Sequence, residues 1–118
     1  MAAKDAVGQY GERVAVRHLQ AAGMVVLDRN WRCREGEIDV IARDGGTLVF
    51  CEVKTRRTTV YGTPAEAVVA AKAARLRRLA LRWLTESGLD PADLRFDVVA
   101  VLARPRGAAD VEHLRDVL

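Results

Sequence analysis

Residues 36–54 read GEIDVIARDGGTLVFCEVK, and the predicted architecture follows from this segment. Its two halves are rich in β-branched and apolar residues, which is typical of strands, and Asp44-Gly45-Gly46 between them is a strong turn signal. Residues 48–54 are apolar at nearly every position, as expected for a strand that protein covers on both faces. The segment therefore predicts an antiparallel hairpin inside a buried sheet.

The turn also predicts which side chains meet. If the two glycines form a two-residue turn, Asp39 lies directly opposite Glu52, with Cβ atoms roughly 5 Å apart. By the same count Glu37 faces Lys54, whereas a three-residue loop would give a different register. Two like charges at that distance destabilise a sheet unless positive charge lies between them. The Asp39–Glu52 pair therefore favours a divalent cation with oxygen ligands, Mg²⁺ or Mn²⁺.

A further carboxylate is predicted on an opening helix that spans residues 4–22. Glu12 falls on the apolar face of this helix by the three-to-four-residue spacing. Gly8 and Gly11 lie close to it, and each costs a helix about 1 kcal/mol relative to alanine. Close approach of the helix backbone to a sheet or a phosphate explains both glycines. The alternative is a partly exposed Glu12 near a frayed helix start.

The remaining elements follow from periodicity and from turn residues. A strand is predicted at residues 24–32, and a second helix begins at Thr63-Pro64 and ends at Ser87 before Gly88. A central strand follows at residues 94–102 and an edge strand at 111–118. The order of helix, three strands, helix and strand predicts an α/β sandwich with a mixed sheet. The apolar stripe of the second helix consists of Leu76, Leu79, Trp83 and Leu84.

Four short motifs occur in order along the chain: GQYGE at 8–12, GEIDVI at 36–41, EVKTR at 52–56 and FDVVAV at 96–101. Together they resemble the PD-(D/E)xK nuclease superfamily, and within it the small bacterial YraN family, which is similar in fold to archaeal Holliday-junction resolvases. The resemblance implies a restriction-endonuclease-like αβββαβ core with a mixed central sheet and helices on both faces.

The resemblance also assigns roles to individual residues. It implies that Glu12, Asp39, Glu52 and Lys54 are catalytic, and that Asp39, Glu52, the Val53 carbonyl and Glu12 bind Mg²⁺ or Mn²⁺. Lys54 would orient the attacking water or stabilise charge on the phosphate. Only three of the chain's 19 basic residues are lysines, which favours a specific need for the ammonium at residue 54. The alternative is a lysine placed there by chance.

Basic residues near this segment are candidates for nucleic-acid binding. Arg56 and Arg57 begin a basic loop beside the predicted metal site, and backbone phosphates would bind there without sequence readout. Lys72 occupies a position where the YraN-like pattern has a lysine. Arg34 flanks the hairpin, with a solvated basic edge as the alternative. Asp97 could support the metal site or form hydrogen bonds at a strand end.

Composition limits the class of protein. With 118 residues the chain is expected to form one domain over 1–118, and a net charge of +3 mildly favours a polyanionic partner. Two cysteines are too few for a disulfide framework. No segment is apolar enough for a membrane span or a secretion signal, which predicts a cytoplasmic protein without a membrane partner.

The resulting hypothesis is a Mg²⁺-dependent endonuclease that acts on duplex or branched DNA in repair or recombination. The main alternative is a nuclease-fold DNA-binding accessory protein whose cleavage is weak or lost. A third hypothesis keeps the nuclease chemistry but uses RNA. Four-way junction cleavage usually requires two active sites spaced by a dimer, so a homodimer is a further expectation.

Overall fold

The computed structural model describes residues 6–57 and 70–117, and these residues form two helices and five strands. The predicted start of the second helix at Thr63 lies outside the described residues. The elements in chain order are α1 (Ala6–Ala21), β1 (Val25–Cys33), β2 (Gly36–Asp44), β3 (Thr47–Arg56), α2 (Ala70–Ser87), β4 (Asp93–Leu102) and β5 (Asp110–Leu114).

The five strands form one mixed sheet in the order β1-β2-β3-β4-β5. β3 and β4 run parallel, and the other neighbouring pairs are antiparallel. A parallel pair needs a long crossover, and here α2 lies within that connection. The predicted αβββαβ order and mixed sheet are thus confirmed. Within residues 6–57 and 70–117, no helix is long and apolar enough to cross a membrane.

The two helices cover opposite faces of the sheet. Successive residues of a strand point to opposite faces, so neighbouring residues of β3 pack in different clusters. On β3, Val49 and Cys51 pack in the cluster that contains the apolar face of α1. Leu48 and Phe50 pack in the second cluster, which contains the predicted stripe of α2. Phe50 lies edge-on to Trp83, with ring centroids 5.9 Å apart. The burial of β3 on both faces is therefore as predicted.

Helix α1 lies unusually close to the sheet at Gly11. A Cβ atom at this position would overlap Thr55 Oγ1 and would lie 2.7 Å from its Cγ2 atom. The predicted approach of the helix backbone to the sheet is therefore confirmed for Gly11. The contact fixes the first half of α1 against the end of β3.

The edge strand β5 is shorter than the predicted range of 111–118, since it ends at Leu114. Asp116 adopts a left-handed φ of 55°, which is incompatible with an extended strand. Its N–H donates to Asp97 Oδ1 at 2.9 Å, and the Val117 N–H donates to the Phe96 carbonyl at 3.0 Å. The chain therefore turns back onto β4 instead of continuing along the edge.

Candidate active-site cleft

The predicted register of the hairpin is confirmed from the turn to Val40–Cys51, but the ladder ends before the expected pairs Asp39–Glu52 and Glu37–Lys54. β2 and β3 pair from the turn as far as Val40 and Cys51. Beyond that point, Asp39 Oδ2 accepts a hydrogen bond of 2.8 Å from the Val53 N–H. The expectation that Asp39 and Glu52 form a directly opposed ladder pair is therefore wrong, because a side-chain carboxylate replaces the next backbone bond.

The ladder ends where the side-chain alternation of β2 changes phase. Ile38 and Ile41 both pack in the cluster of α2, although they are three residues apart. Val40 packs in the cluster of α1. Residues three apart lie on opposite faces of a regular strand, so the strand must change phase around Asp39. This irregularity opens a fork between β2 and β3.

The fork widens into a cleft that is rich in carboxylates. On the side of α1 it forms a cavity of about 300 Å³, and on the side of α2 a cavity of about 270 Å³. Glu37, Asp39 and Glu52 line both cavities. The α1 cavity also contains Glu12, Val53, Lys54, Thr55 and Arg56, and the α2 cavity contains Lys72 and Arg75.

Most of the predicted site residues are therefore brought together, with two exceptions. Arg57 lines a neighbouring cavity, beyond the end of β3. Arg34 lies exposed in the turn between β1 and β2 and lines neither cavity of the cleft. Glu35, which follows Arg34, instead pairs with Arg82 of α2 at 2.7 Å. The position of Arg34 agrees with the alternative of a solvated basic edge.

Glu12 is buried, with 2% of its surface exposed, which confirms its predicted place on the apolar face of α1. Its Oε1 accepts a hydrogen bond from Asn30 Nδ2, and Arg29 lies 4.0 Å away. Asn30 adopts a left-handed φ of 52° within β1. Sequence reasoning missed this residue, although asparagine is disfavoured in strands and tolerates the left-handed region. Those two properties were the available signal.

Glu52 and Lys54 lie on the same side of β3, as their spacing predicted, and they form an ion pair of 3.1 Å. The expected ladder pair of Glu37 with Lys54 is absent, because the β2–β3 ladder has already ended. Glu37 is instead the register partner of Arg32 on β1, and their side chains pair at 3.0 Å. Arg32 thus offsets the charge of one of the four carboxylates.

Lys72 places a second amine beside this ion pair. A hydrogen bond with Lys54, followed by burial and by the positive charge of Lys54, lowers the pKa of Lys72. The negative charge of Glu52 acts in the opposite direction. Lys54 and Lys72 therefore bring two amines to the edge of the cleft, and an anion bound there would relieve their repulsion.

The ligand chemistry of the cleft suits a hard cation, although a complete metal shell is not formed. Carboxylate and carbonyl oxygens are the ligands that Mg²⁺ and Mn²⁺ prefer. Within residues 6–57 and 70–117, no three His, Cys, Asp or Glu side chains are grouped closely enough to hold a metal ion. The metal ligands predicted from the sequence accordingly stay predictions.

Asp97 is fully buried and belongs to a different hydrogen-bond network. It accepts hydrogen bonds from Arg95 at 3.0 Å, from His113 at 2.7 Å and from the Asp116 N–H. Burial alone would raise the pKa of Asp97, but these hydrogen bonds outweigh it and lower the pKa. Burial and the neighbouring His113 also lower the pKa of His18. Of the two roles considered for Asp97, the contacts support hydrogen bonding that holds β5 and the following turn.

Comparison with known proteins places the chain among closely similar bacterial sequences. The family model described as "Uncharacterised protein family UPF0102" matches residues 11–101. A UPF0102 protein of Frankia alni is 63% identical over 115 residues, which cover 98% of this chain and 96% of that protein. UPF0102 proteins of Beutenbergia cavernae and Streptomyces coelicolor are 61% and 56% identical, each covering 99% of this chain, and 99% and 92% of those proteins. None of these names states an activity.

Proposed function

The chain belongs to the UPF0102 (YraN) family, and we propose that it is a metal-dependent endonuclease that hydrolyses DNA phosphodiester bonds. The observation that carries the proposal is the fork between β2 and β3. The strands separate after the Val40–Cys51 pair, and carboxylates from both strands and from α1 collect in the opening. Such a fork brings together acids that lie far apart in the sequence.

The charge of the cleft supports a bound cation. Four carboxylates and two cations, Lys54 and Arg56, line the cavity beside α1. Glu12 and Asp39 are only 2% and 7% exposed, and buried carboxylates are costly unless they are paired or bound to a metal. Four carboxylates against two cations leave the lining of this cavity with a net negative charge, which favours a bound cation.

The acids present fit a magnesium site that the substrate helps to complete. Mg²⁺ is commonly bound by one or two carboxylates, several waters and substrate phosphates, so three converging protein ligands are not required. Asp39 and Glu52 would hold the ion, with the Val53 carbonyl and Glu12 as further oxygen ligands. When bound, the ion would polarise the phosphodiester and lower the pKa of a bound water.

The basic residues of the cleft would act on the phosphate. Lys54 is held beside Glu52 at 3.1 Å, where its ammonium would stabilise negative charge that develops during hydrolysis. Lys72 would add a second positive charge at the same edge. Arg56 and Arg57 at the end of β3 would bind backbone phosphates and thus give affinity without sequence readout.

A second candidate function is a DNA-binding accessory protein with the nuclease fold but little or no cleavage. Two observations favour it: Glu52 is already paired with Lys54, and no metal-binding group of three acids is formed among the described residues. Cleavage assays separate the two functions, because both predict DNA binding but only the first predicts metal-dependent hydrolysis.

The proposed activity is tested with purified protein and end-labelled linear, flapped and four-way-junction DNA in Mg²⁺, Mn²⁺ or EDTA. Asp39→Asn and Glu52→Gln are the test variants, and Glu112→Gln, an exposed acid on β5, is the matched control. Loss of an acid that binds the metal should cost more than the roughly 10–100-fold associated with a residue outside the metal's own ligands. The control variant should cleave like the wild type.

Retained metal-dependent cleavage by both Asp39→Asn and Glu52→Gln would contradict the proposed mechanism. DNA binding without cleavage under all metal conditions would instead support the accessory function. An RNA duplex and a single-stranded RNA in the same assay test the RNA hypothesis. Cleavage confined to four-way junctions would support the proposed homodimer, which analytical ultracentrifugation can measure directly.

A further inference from the structure

A third cavity, of about 330 Å³, lies beyond the end of β3 and outside the acidic cleft. Its walls come from three separate parts of the chain: the first turns of α1, the residue that follows β3, and the connection between β4 and β5. The lining side chains that carry chemistry are Tyr10, Arg57, Arg104 and Arg106. We refer to it below as the arginine pocket.

The arginine pocket has the opposite charge to the cleft. Three arginines line it, whereas no Asp or Glu does so among the described residues. Arg104 is held by Asp110, with Nε 3.1 Å from Oδ2, so its charge is largely offset and its position is fixed. Arg57 and Arg106 form no ion pair within residues 6–57 and 70–117 and are exposed. Their two charges are therefore available to an anion.

The pocket adjoins the cleft directly. Val7 lines both the arginine pocket and the cleft cavity beside α1. The cleft residue Arg56 is followed in the chain by the pocket residue Arg57. The Ala103 N–H donates to the Arg56 carbonyl at 2.8 Å, which ties the β4–β5 connection to the end of β3. A nucleic-acid strand carries a phosphate about every 3.4 Å of helix axis. A strand with one phosphate in the cleft therefore has further phosphates within reach of the pocket.

We propose that the arginine pocket is a phosphate-binding subsite for the DNA strand that flanks the bond in the cleft. Arg57 and Arg106 bind backbone phosphates, and Arg104, fixed by Asp110, shapes the wall between them. Tyr10 also lines the pocket, and an aromatic ring can pack against a sugar or an unpaired base. The role of the pocket as a flanking subsite rests on the proposed function of the cleft, but phosphate binding by it can be measured alone.

The test measures binding of fluorescein-labelled DNA by anisotropy in EDTA across a range of salt concentrations. The test variant is Arg57→Ala/Arg106→Ala, and Arg57→Lys/Arg106→Lys keeps the charges. Arg43→Ala is the matched control, because Arg43 is exposed at the hairpin end of β2. The register partner of Arg43 is Leu48, which lies eight residues, or about 26 Å, before Arg56 on β3. Arg43 is therefore far from the arginine pocket. Thermal unfolding of each variant checks that it is folded.

For every phosphate that is no longer bound, the slope of log K against log[salt] should fall by about 0.7 for single-stranded or 0.9 for duplex DNA. The double alanine variant should therefore bind more weakly at low salt, with a slope lower by about 1.4 for single-stranded or about 1.8 for duplex DNA. The lysine variant and Arg43→Ala should keep the wild-type slope. An unchanged slope in the alanine variant, or an equal decrease in the lysine variant, would overturn the proposal.

Two further arms separate other outcomes. Inorganic phosphate should not displace DNA beyond the effect of chloride at equal ionic strength; specific displacement by millimolar phosphate would indicate a small-anion site and would overturn the DNA assignment. Metal-dependent cleavage by the wild type is measured in parallel. If the wild type cleaves DNA but the salt slope of the double alanine variant is unchanged, the proposed subsite is refuted and the nuclease function stands. A changed slope without any cleavage would keep the subsite and refute the nuclease.

Discussion

Replacement of Gly11 by alanine should destabilise this protein, although the same change inside most helices is stabilising. Gly11 lies within α1, where exchange of glycine for alanine ordinarily gains about 0.5–1 kcal/mol. Here the new methyl group would enter the contact between α1 and β3. It would overlap Thr55 Oγ1 and would lie 2.7 Å from Cγ2 and 2.8 Å from Cβ.

The size of the effect follows from these distances. Non-bonded carbon atoms are at rest about 3.5–4.0 Å apart, so α1 or β3 must shift by about 1 Å. Overpacking of a core by such a group costs about 1–3 kcal/mol. After subtraction of the helix-propensity gain, the free energy of unfolding should fall by about 1–2 kcal/mol. For a domain of this size, that corresponds to a Tm lower by about 4–8 °C.

Thermal unfolding followed by circular dichroism measures this change, and a double-mutant cycle assigns its origin. Thr55→Gly removes every clashing atom, so the cost of Gly11→Ala should largely disappear in the double variant. Gly46→Ala is the matched control, because its added Cβ would lie 3.6 Å from Ala92 Cβ, an ordinary contact. An unchanged or higher Tm for Gly11→Ala would contradict the close contact between α1 and β3 at Gly11.

Three further predictions concern buried groups. In the native protein, a thiol reagent should label Cys33 but not Cys51, which is fully buried and whose thiol pKa is raised by burial; labelling of both without denaturant would contradict this. Hydrogen bonds lower the pKa of Asp97 below its usual 3.8, so its stabilising contribution is complete above that pH and is lost as the pH falls through the lower value in the folded state. The difference in urea midpoint between wild type and Asp97→Asn should accordingly shrink as the pH falls below 3.8, whereas a difference that grows in that range would contradict this sign. Asn30→Ala should lower the free energy of unfolding by about 2 kcal/mol, because it removes a hydrogen bond to a buried carboxylate and puts alanine at a positive φ, and equal stability in urea would exclude such a role.

The hairpin could be predicted in detail because its determinants are local. The Gly45-Gly46 turn and the apolar run of β3 together fix the register from the turn to the Val40–Cys51 pair. The buried stripe of α2 follows from helical spacing in the same way. The packing of the helices on the sheet agrees with these local patterns, so the architecture could be predicted from the sequence.

The fork was not accessible, because no local pattern marks it. The alternation of β2 and β3 favours a ladder that continues to Asp39 and Glu52. The phase change between Ile38 and Ile41 depends on which helix each side chain packs against, and this is a tertiary choice. The sequence therefore predicted that these acids lie in one place, but it predicted the wrong contact between Asp39 and Glu52.

The residues that hold the acids were also hard to predict. Arg32 reaches Glu37 by cross-strand pairing, which requires the β1–β2 register. Asn30 reaches Glu12 on a helix 18 residues away. The arginine pocket combines residue 10 with 57 and 104–106, segments that only the complete fold brings together. Charge patterns along the chain contain no information about such distant combinations.

Side chains of β1, one of the two edge strands of the described sheet, contact two of the cleft acids. Asn30 and Arg29 approach Glu12, and Arg32 pairs with Glu37, while among the described strands β1 is hydrogen-bonded to β2 alone. A strand held along one side is among the first parts of a sheet to open in local fluctuations. If β1 detaches, both acids are separated from these β1 side chains in one cooperative event. Hydrogen exchange of the β1 backbone amides would therefore report how often Glu12 and Glu37 lose these contacts. Each such event makes the cleft more negative without any change at the acids themselves.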